Sequence, residues 1–221
     1  MTSLQQSVFY LFAIVIALSV HEFFHAWIAL QLGDPTAKYM GRVTLNPIAH
    51  LDPLGAIMIV VMAFAHMGFG WGKPVPVNPN NLRRGPIVGG AIVSVCGPIS
   101  NLLLAAIVAV PLRLSLLGIL PASIMDSIPG YFLQVLLLVN ISLALFNLLP
   151  IPPLDGYHFW LGLLHEIPST FTRRGWMSLS SPAVEQAGPM LLLFFIFLIP
   201  GALSRVINPF FGLFLRLFLG I

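Results

Sequence analysis

The pentapeptide His21-Glu22-Phe23-Phe24-His25 sits inside an apolar run, Val8 to Leu32, that holds no other charged residue. Residues four apart on a helix are offset by only about 40°, at about 100° per residue, so the two imidazoles share a face. An ionisable side chain near the middle of a bilayer costs roughly 2.5–3.5 kcal/mol on insertion scales, and three clustered there need compensation. One divalent cation gripped by both histidines supplies it. The glutamate between them is then placed to act on a water beside the cation. Any fold this chain adopts has to close other helices around that face.

Composition sets the surroundings. The 221 residues are 58% hydrophobic and 8% charged, against about a quarter charged in soluble domains. This predicts an all-α polytopic membrane protein: one integral membrane domain over 1–221, with a core over 8–165 and a C-terminal membrane region over 187–221. The formal charge of +3 comes from short, scattered loop pairs and forms no stripe, which argues against a nucleic-acid partner. The single cysteine, Cys96, cannot form an internal disulfide and reads as a packed thiol. Met1 to Ser7 carry no Lys or Arg, so a cleaved leader is not expected.

The hydropathy pattern predicts a bundle of about four to six membrane helices. Leu4 to Leu32 is long enough to span, and Gly33-Asp34-Pro35 ends it. Gly41-Arg42-Val43-Thr44-Leu45 is expected as one of the short β-strand segments in the cytoplasmic loops. Leu54 to Phe69 falls short of the roughly twenty residues a straight span needs. Basic loops flank it, with Lys38 and Arg42 before and Lys73, Arg83 and Arg84 after, so both belong in the cytoplasm and the segment reads as re-entrant. Ile87 to Leu112 spans outward and is rich in small residues that let helices approach closely. Tyr131 to Leu149 spans back, Pro150-Ile151-Pro152-Pro153 breaks the helix, and a short helix covers Tyr157 to Glu166. Arg173 and Arg174 mark a further cytoplasmic stretch. Met190 to Leu203 is apolar. Val206 to Ile221 is short, and is either interfacial or a continuation past a kink at Pro200-Gly201.

A catalytic metal keeps three protein ligands and an open fourth position, so one ligand must come from outside the pentapeptide. Asp155 is the best candidate, an acid in a proline-braced turn at a span's end, with Gly156 permitting close backbone approach. The topology brings it to the depth of His21 and His25 in the cytoplasmic half. A helix cap is the bland alternative for Asp155.

His21-Glu22-x-x-His25, Gly97-Pro98-Ile99-Ser100-Asn101 and Asn147-Leu148-Leu149-Pro150-Ile151-Pro152-Pro153-Leu154-Asp155-Gly156 together resemble the site-2 protease family of intramembrane metalloproteases. The resemblance runs from about Val8 to His165, in the compact form without PDZ or CBS domains. It implies one Zn²⁺ per chain on His21, His25 and Asp155, with Glu22 as the catalytic general base. It also implies substrate contacts from Asn147 and Asn101, for which helix–helix hydrogen bonding is the alternative. The implied substrate is a transmembrane or membrane-proximal segment of another protein, cut in a prokaryotic cytoplasmic membrane, and the topology above puts the active site toward the cytoplasm. Edge-strand pairing by Val43-Thr44-Leu45 or Val75-Pro76-Val77 would hold the unwound substrate. Two other classes compete: a zinc transporter or metal sensor using the same ligands, and an inactive relative acting as a membrane chaperone.

Four histidines remain. His50 is expected at the surface, with an extra ligand as the alternative. His66 is expected to be hydrogen-bonded locally, with a plug over the metal as the alternative. His158 is expected beside the ligands, and His165 in solvent next to Glu166.

Overall fold

The computed structural model describes residues 2–65, 70–167, 170–199 and 201–220. Helix α1, Ser3–Gln31, opens on a capping box in which Thr2 and Gln5 satisfy each other's backbone N–H. After it come the single turn α2 (Thr36–Tyr39) and helix α3 (Pro53–Ala65). Helix α4, Pro86–Leu116, starts with proline in its first turn, where the missing N–H costs nothing. The turn α5 (Ser123–Asp126) leads to α6 (Ile128–Asn147), capped by the Ser127 hydroxyl on Gly130 N–H. Helices α7 (Asp155–Glu166), α8 (Thr170–Leu179), α9 (Pro182–Phe197) and α10 (Ala202–Leu219) complete the chain.

Among the described residues four helices are long and apolar enough to cross a membrane: α1, α4, α6 and α10. Within lipid, apolar area gives helices no reason to associate, so close contact between small residues has to hold them. The core shows this. Ala13 and Ala17 of α1 and Ala105 and Ala109 of α4 are buried together with Leu137 and Ile141 of α6. Helix α4 packs on α1, α6 and α7 and is the central element. The chain past Gly201, whose φ of +79° breaks the helix, forms α10. Its Ile207, Phe211 and Phe214 lie against the α1–α4–α6 core. The expected short tail is thus an 18-residue helix of spanning length.

The segment after α1 folds back on itself. Leu51 and Gly72 form an antiparallel bridge, Lys73 N–H donates to His50 C=O, and Gly55 lies against the Trp71 backbone. Chain that leaves at Pro53 is therefore back beside its starting point by Gly72. Two ends held side by side cannot lie on opposite faces of a bundle, which agrees with a segment that enters and returns. His66 lies outside the described residues.

No strand forms among the described residues, which corrects the expectation of β-segments in the loops. The reason is local. Thr44 Oγ1 accepts from Asn46 N–H, Asn46 Oδ1 from Ile48 N–H, and Thr44 C=O is taken by His50 Nε2 at 2.7 Å. Side chains thereby capture the backbone groups a strand would need. In the second loop Pro74 and Pro76 have no N–H to give a ladder, and residues 73–78 belong to no strand. The same capture buries His50 completely, so it is not the surface histidine expected. Arg42 is also buried, its guanidinium donating to Lys73 C=O. It holds the second loop.

Candidate metal centre

His21 and His25 project from α1 toward α4 and the start of α7, where they are 4% and 7% exposed. Asp155 is the first residue of α7. It reaches them because the chain turns sharply after α6: Ile151 N–H bonds Leu149 C=O and Leu154 N–H bonds Ile151 C=O. Leu149 and Leu154 anchor that turn against Leu192 of α9. A Cβ on Gly156 would stand 2.2 Å from Leu148 C=O, so only glycine lets α7 start this close to the end of α6.

Three atoms converge. Asp155 Oδ2 is 2.9 Å from His21 Nε2 and 3.3 Å from His25 Nε2. The candidate ligand atoms of all three residues lie within 4.8 Å of one another. That is near the separation of atoms sharing one cation at about 2.0–2.2 Å. Both imidazoles are turned the right way for it. His25 Nδ1–H donates to Val93 C=O at 2.8 Å, and His21 Nδ1–H to Asn101 Oδ1 at 2.7 Å. Each ring therefore presents its Nε2 lone pair to the centre.

Helix α4 supplies the floor. A Cβ on Gly97 would fall 2.3 Å from His25 Nε2 and 2.7 Å from His21 Cε1. Pro98 follows within the helix, and its missing N–H loosens the turn next to Val93, whose carbonyl receives His25. Two histidines, one carboxylate and a glycine-lined cradle make a donor set that fits one divalent cation of borderline softness.

Glu22 does not join the cluster. It is 9% exposed and lines the same cavity of about 850 Å³ as the three ligand candidates. Asn147 lines it too, at the end of α6, with Nδ2 donating to Leu143 C=O at 3.0 Å. So do Pro74, Val75 and Val77 of the second loop.

Asn101 departs from expectation. It is fully buried and absent from the cavity wall, with its oxygen on His21 and its Nδ2 donating to Ala17 C=O and to Asn140 Oδ1, each at 2.9 Å. Its polar atoms are engaged by α1 and α6, which is the helix–helix hydrogen bonding given above as the alternative to a substrate contact. Asn140, which sequence reasoning passed over, is buried at the same place. An amide at the middle of an apolar span was the available signal. His158 stands exposed at the cavity's edge and is not among the clustered ligands. His165 is exposed, 3.4 Å from Glu166.

Apolar helices closed around two histidines and a carboxylate define a helical membrane protein with a group of side chains that could hold one metal ion. Residues 114–181, which include Asn147 and Asp155, match the model of Peptidase family M50. Over 150 residues the chain is 43% identical to YwhC of Bacillus subtilis (strain 168), by name a zinc metalloprotease, covering 65% of this chain and 64% of that protein. It is 33% identical over 147 residues to Rip2 of Mycolicibacterium smegmatis, also by name a zinc metalloprotease, covering 65% of this chain and 52% of that one. Rip2 of Mycobacterium tuberculosis (strain H37Rv) is likewise 33% identical, over 150 residues. The chain thus spans less than two thirds of the curated relatives it matches. No solved structure matches it significantly.

Proposed function

We propose that this chain is an intramembrane zinc endopeptidase that cuts peptide bonds in or near transmembrane segments of other membrane proteins. The observation that carries the reading is the convergence of His21, His25 and Asp155, with Glu22 on the wall of the same cavity. The matched relatives carry names of zinc metalloproteases, which supports zinc as the cation.

His21 Nε2, His25 Nε2 and an Asp155 carboxylate oxygen would hold the ion. Zinc, when bound, supplies a Lewis acid for the scissile carbonyl and lowers the pKa of water. Glu22 takes the proton of the attacking water and delivers it to the leaving amine, so one carboxylate serves as base and then as acid. A helical substrate hides its carbonyls in hydrogen bonds and has to unwind first, and extended backbone at membrane depth needs protein partners. Pro74, Val75 and Val77 of the second loop line the cavity, and Val75 and Val77 keep their N–H donors for such pairing. The Asn147 side-chain oxygen adds an acceptor in the same cavity. Positive charge on the Lys38, Lys73, Arg83 and Arg84 loops supports a cytoplasmic position for this end of the bundle.

Transport asks for a file of polar groups leading away from the site. The buried amides beyond it, Asn101 and Asn140, are instead bonded to each other, which favours hydrolysis. The test is reconstitution of the purified chain in vesicles with tagged single-span substrates. Wild type should yield cleaved product and Glu22→Gln none. Membrane-fraction proteomics of cells expressing either form should then show uncut proteins accumulating with Glu22→Gln. Zn²⁺ flux across the vesicles without proteolysis would replace this reading with transport.

A further inference from the structure

The two buried amides behind His21 form a chain whose orientation is decided at both ends. Leu136 C=O and Ala17 C=O can only accept. Asn140 must therefore turn its NH2 toward Leu136, at 2.8 Å, and Asn101 must turn its own toward Ala17, at 2.9 Å. Asn140 is then left with its oxygen facing Asn101, and it accepts the second Asn101 hydrogen at 2.9 Å. Asn101 is left with its oxygen facing His21 Nδ1 at 2.7 Å, so that nitrogen has to carry the proton. No member can flip without placing two acceptors, or two donors, against each other in a fully buried site.

We propose that Asn140 is a positioning residue for the metal centre: acting through Asn101, it fixes the tautomer and ring plane in which His21 offers Nε2 to the cation. The inference rests on the metalloprotease reading of the site. It assigns to the middle of α6 a part in metal binding, although Asn140 touches neither ligand nor cavity. A ligand histidine held by an outer partner binds metal more tightly, and loss of such partners typically costs about 10–100-fold in affinity.

The test measures Zn²⁺ affinity by chelator competition on the full chain in detergent. Asn101→Leu should weaken binding by about 10–100-fold and Asn140→Leu by at least about threefold, because it acts one bond further out. In the double variant the loss should equal that of Asn101→Leu alone, since Asn140 has no other route to the metal. Asn140→Asp should restore near wild-type affinity, because a buried neutral carboxyl reproduces both contacts, hydroxyl to Leu136 and oxygen to Asn101. Leu137→Ala removes packing on the same helix without touching the chain of amides, and should lower thermal stability while leaving Zn²⁺ affinity unchanged. If Asn140→Leu does not purify folded, Asn140→Ala and the Asp rescue carry the comparison. Wild-type affinity in Asn140→Leu or Asn140→Ala, or additive losses in the double variant, overturns the relay while leaving the metal reading intact. Wild-type protein that binds no Zn²⁺ at this site overturns both.

Discussion

Gly97 of α4 lies so close to His25 of α1 that a single added methyl would stand 2.3 Å from the imidazole Nε2. That contact makes the backbone of α4 the surface against which both imidazoles are set. Gly97→Ala should displace the rings and lower Zn²⁺ affinity by about tenfold or more, as losses of ligand support do. Gly90, on the same helix and lining the same cavity, has nothing within 4 Å of an added Cβ. Gly90→Ala should therefore bind Zn²⁺ like wild type. Equal affinities for the two variants would mean that α4 does not set the rings.

The purified chain should hold about one Zn²⁺, and His21→Ala, His25→Ala and Asp155→Ala should each lower occupancy, because a three-ligand site loses a third of its donors with each change. Metal analysis by mass spectrometry decides it. Full occupancy in Asp155→Ala would remove that carboxylate from the ligand set.

Glu22→Gln should lose cleavage by at least about a hundredfold while keeping its zinc, since general acid–base groups contribute about 10²–10⁴-fold and this one is not a ligand. Turnover of a single-span substrate and zinc content, measured on the same preparation, separate the two roles. Retained turnover would remove Glu22 from proton transfer.

The parts of this site legible in the sequence are those fixed by short-range geometry. Two histidines four apart must share a helix face, and a proline-braced turn must hold Asp155 at a helix start, so their meeting followed from topology alone. The link between Asn101 and Asn140 was hidden for the opposite reason. Helices α4 and α6 are apolar on every side, so no polar face announces how each is rotated in the bundle. Residues near Thr44 have strand propensity, yet His50 and Asn46 take the backbone groups first. Burial of His50 and Arg42 came from the same loop, whose path depends on contacts with Lys73, 23 and 31 residues away.

Asp34, in the turn after α1, is fully buried and ties two loops together. Its carboxylate accepts from Thr36 N–H and hydroxyl, Asn78 N–H and the Asn81 side chain. Burial alone would raise its pKa, but these four donors together hold it below the usual carboxylate value of 3.8. A depressed folded pKa means the contribution is fully present above about pH 4 and disappears as pH falls through the lower folded value. Asp34→Asn should cost about 1.5–3 kcal/mol at neutral pH, the usual worth of a hydrogen bond to a charged group. Thermal midpoints of wild type and variant should converge below pH 4. A gap that stays constant down to strong acid would show that the charge is not what stabilises the knot.

Those same bonds from Asp34 to Asn78 and Asn81, with Arg83 N–H on Leu32 C=O at 2.8 Å, place the loop before α4 beside the end of α1. The chain between them, including α3, is then expected to leave and return on one face. Single cysteines at Lys38 and Asn80, both exposed, in a Cys96→Ser background should be labelled by an impermeant thiol reagent from the same side of the membrane. A cysteine at Ser123, beyond the far end of α4, should be labelled from the other side. Labelling of positions 38 and 80 from opposite faces would make α3 a span. Asp155 would then arrive at the wrong depth to meet His21 and His25, and the metal centre would fail together with the hairpin.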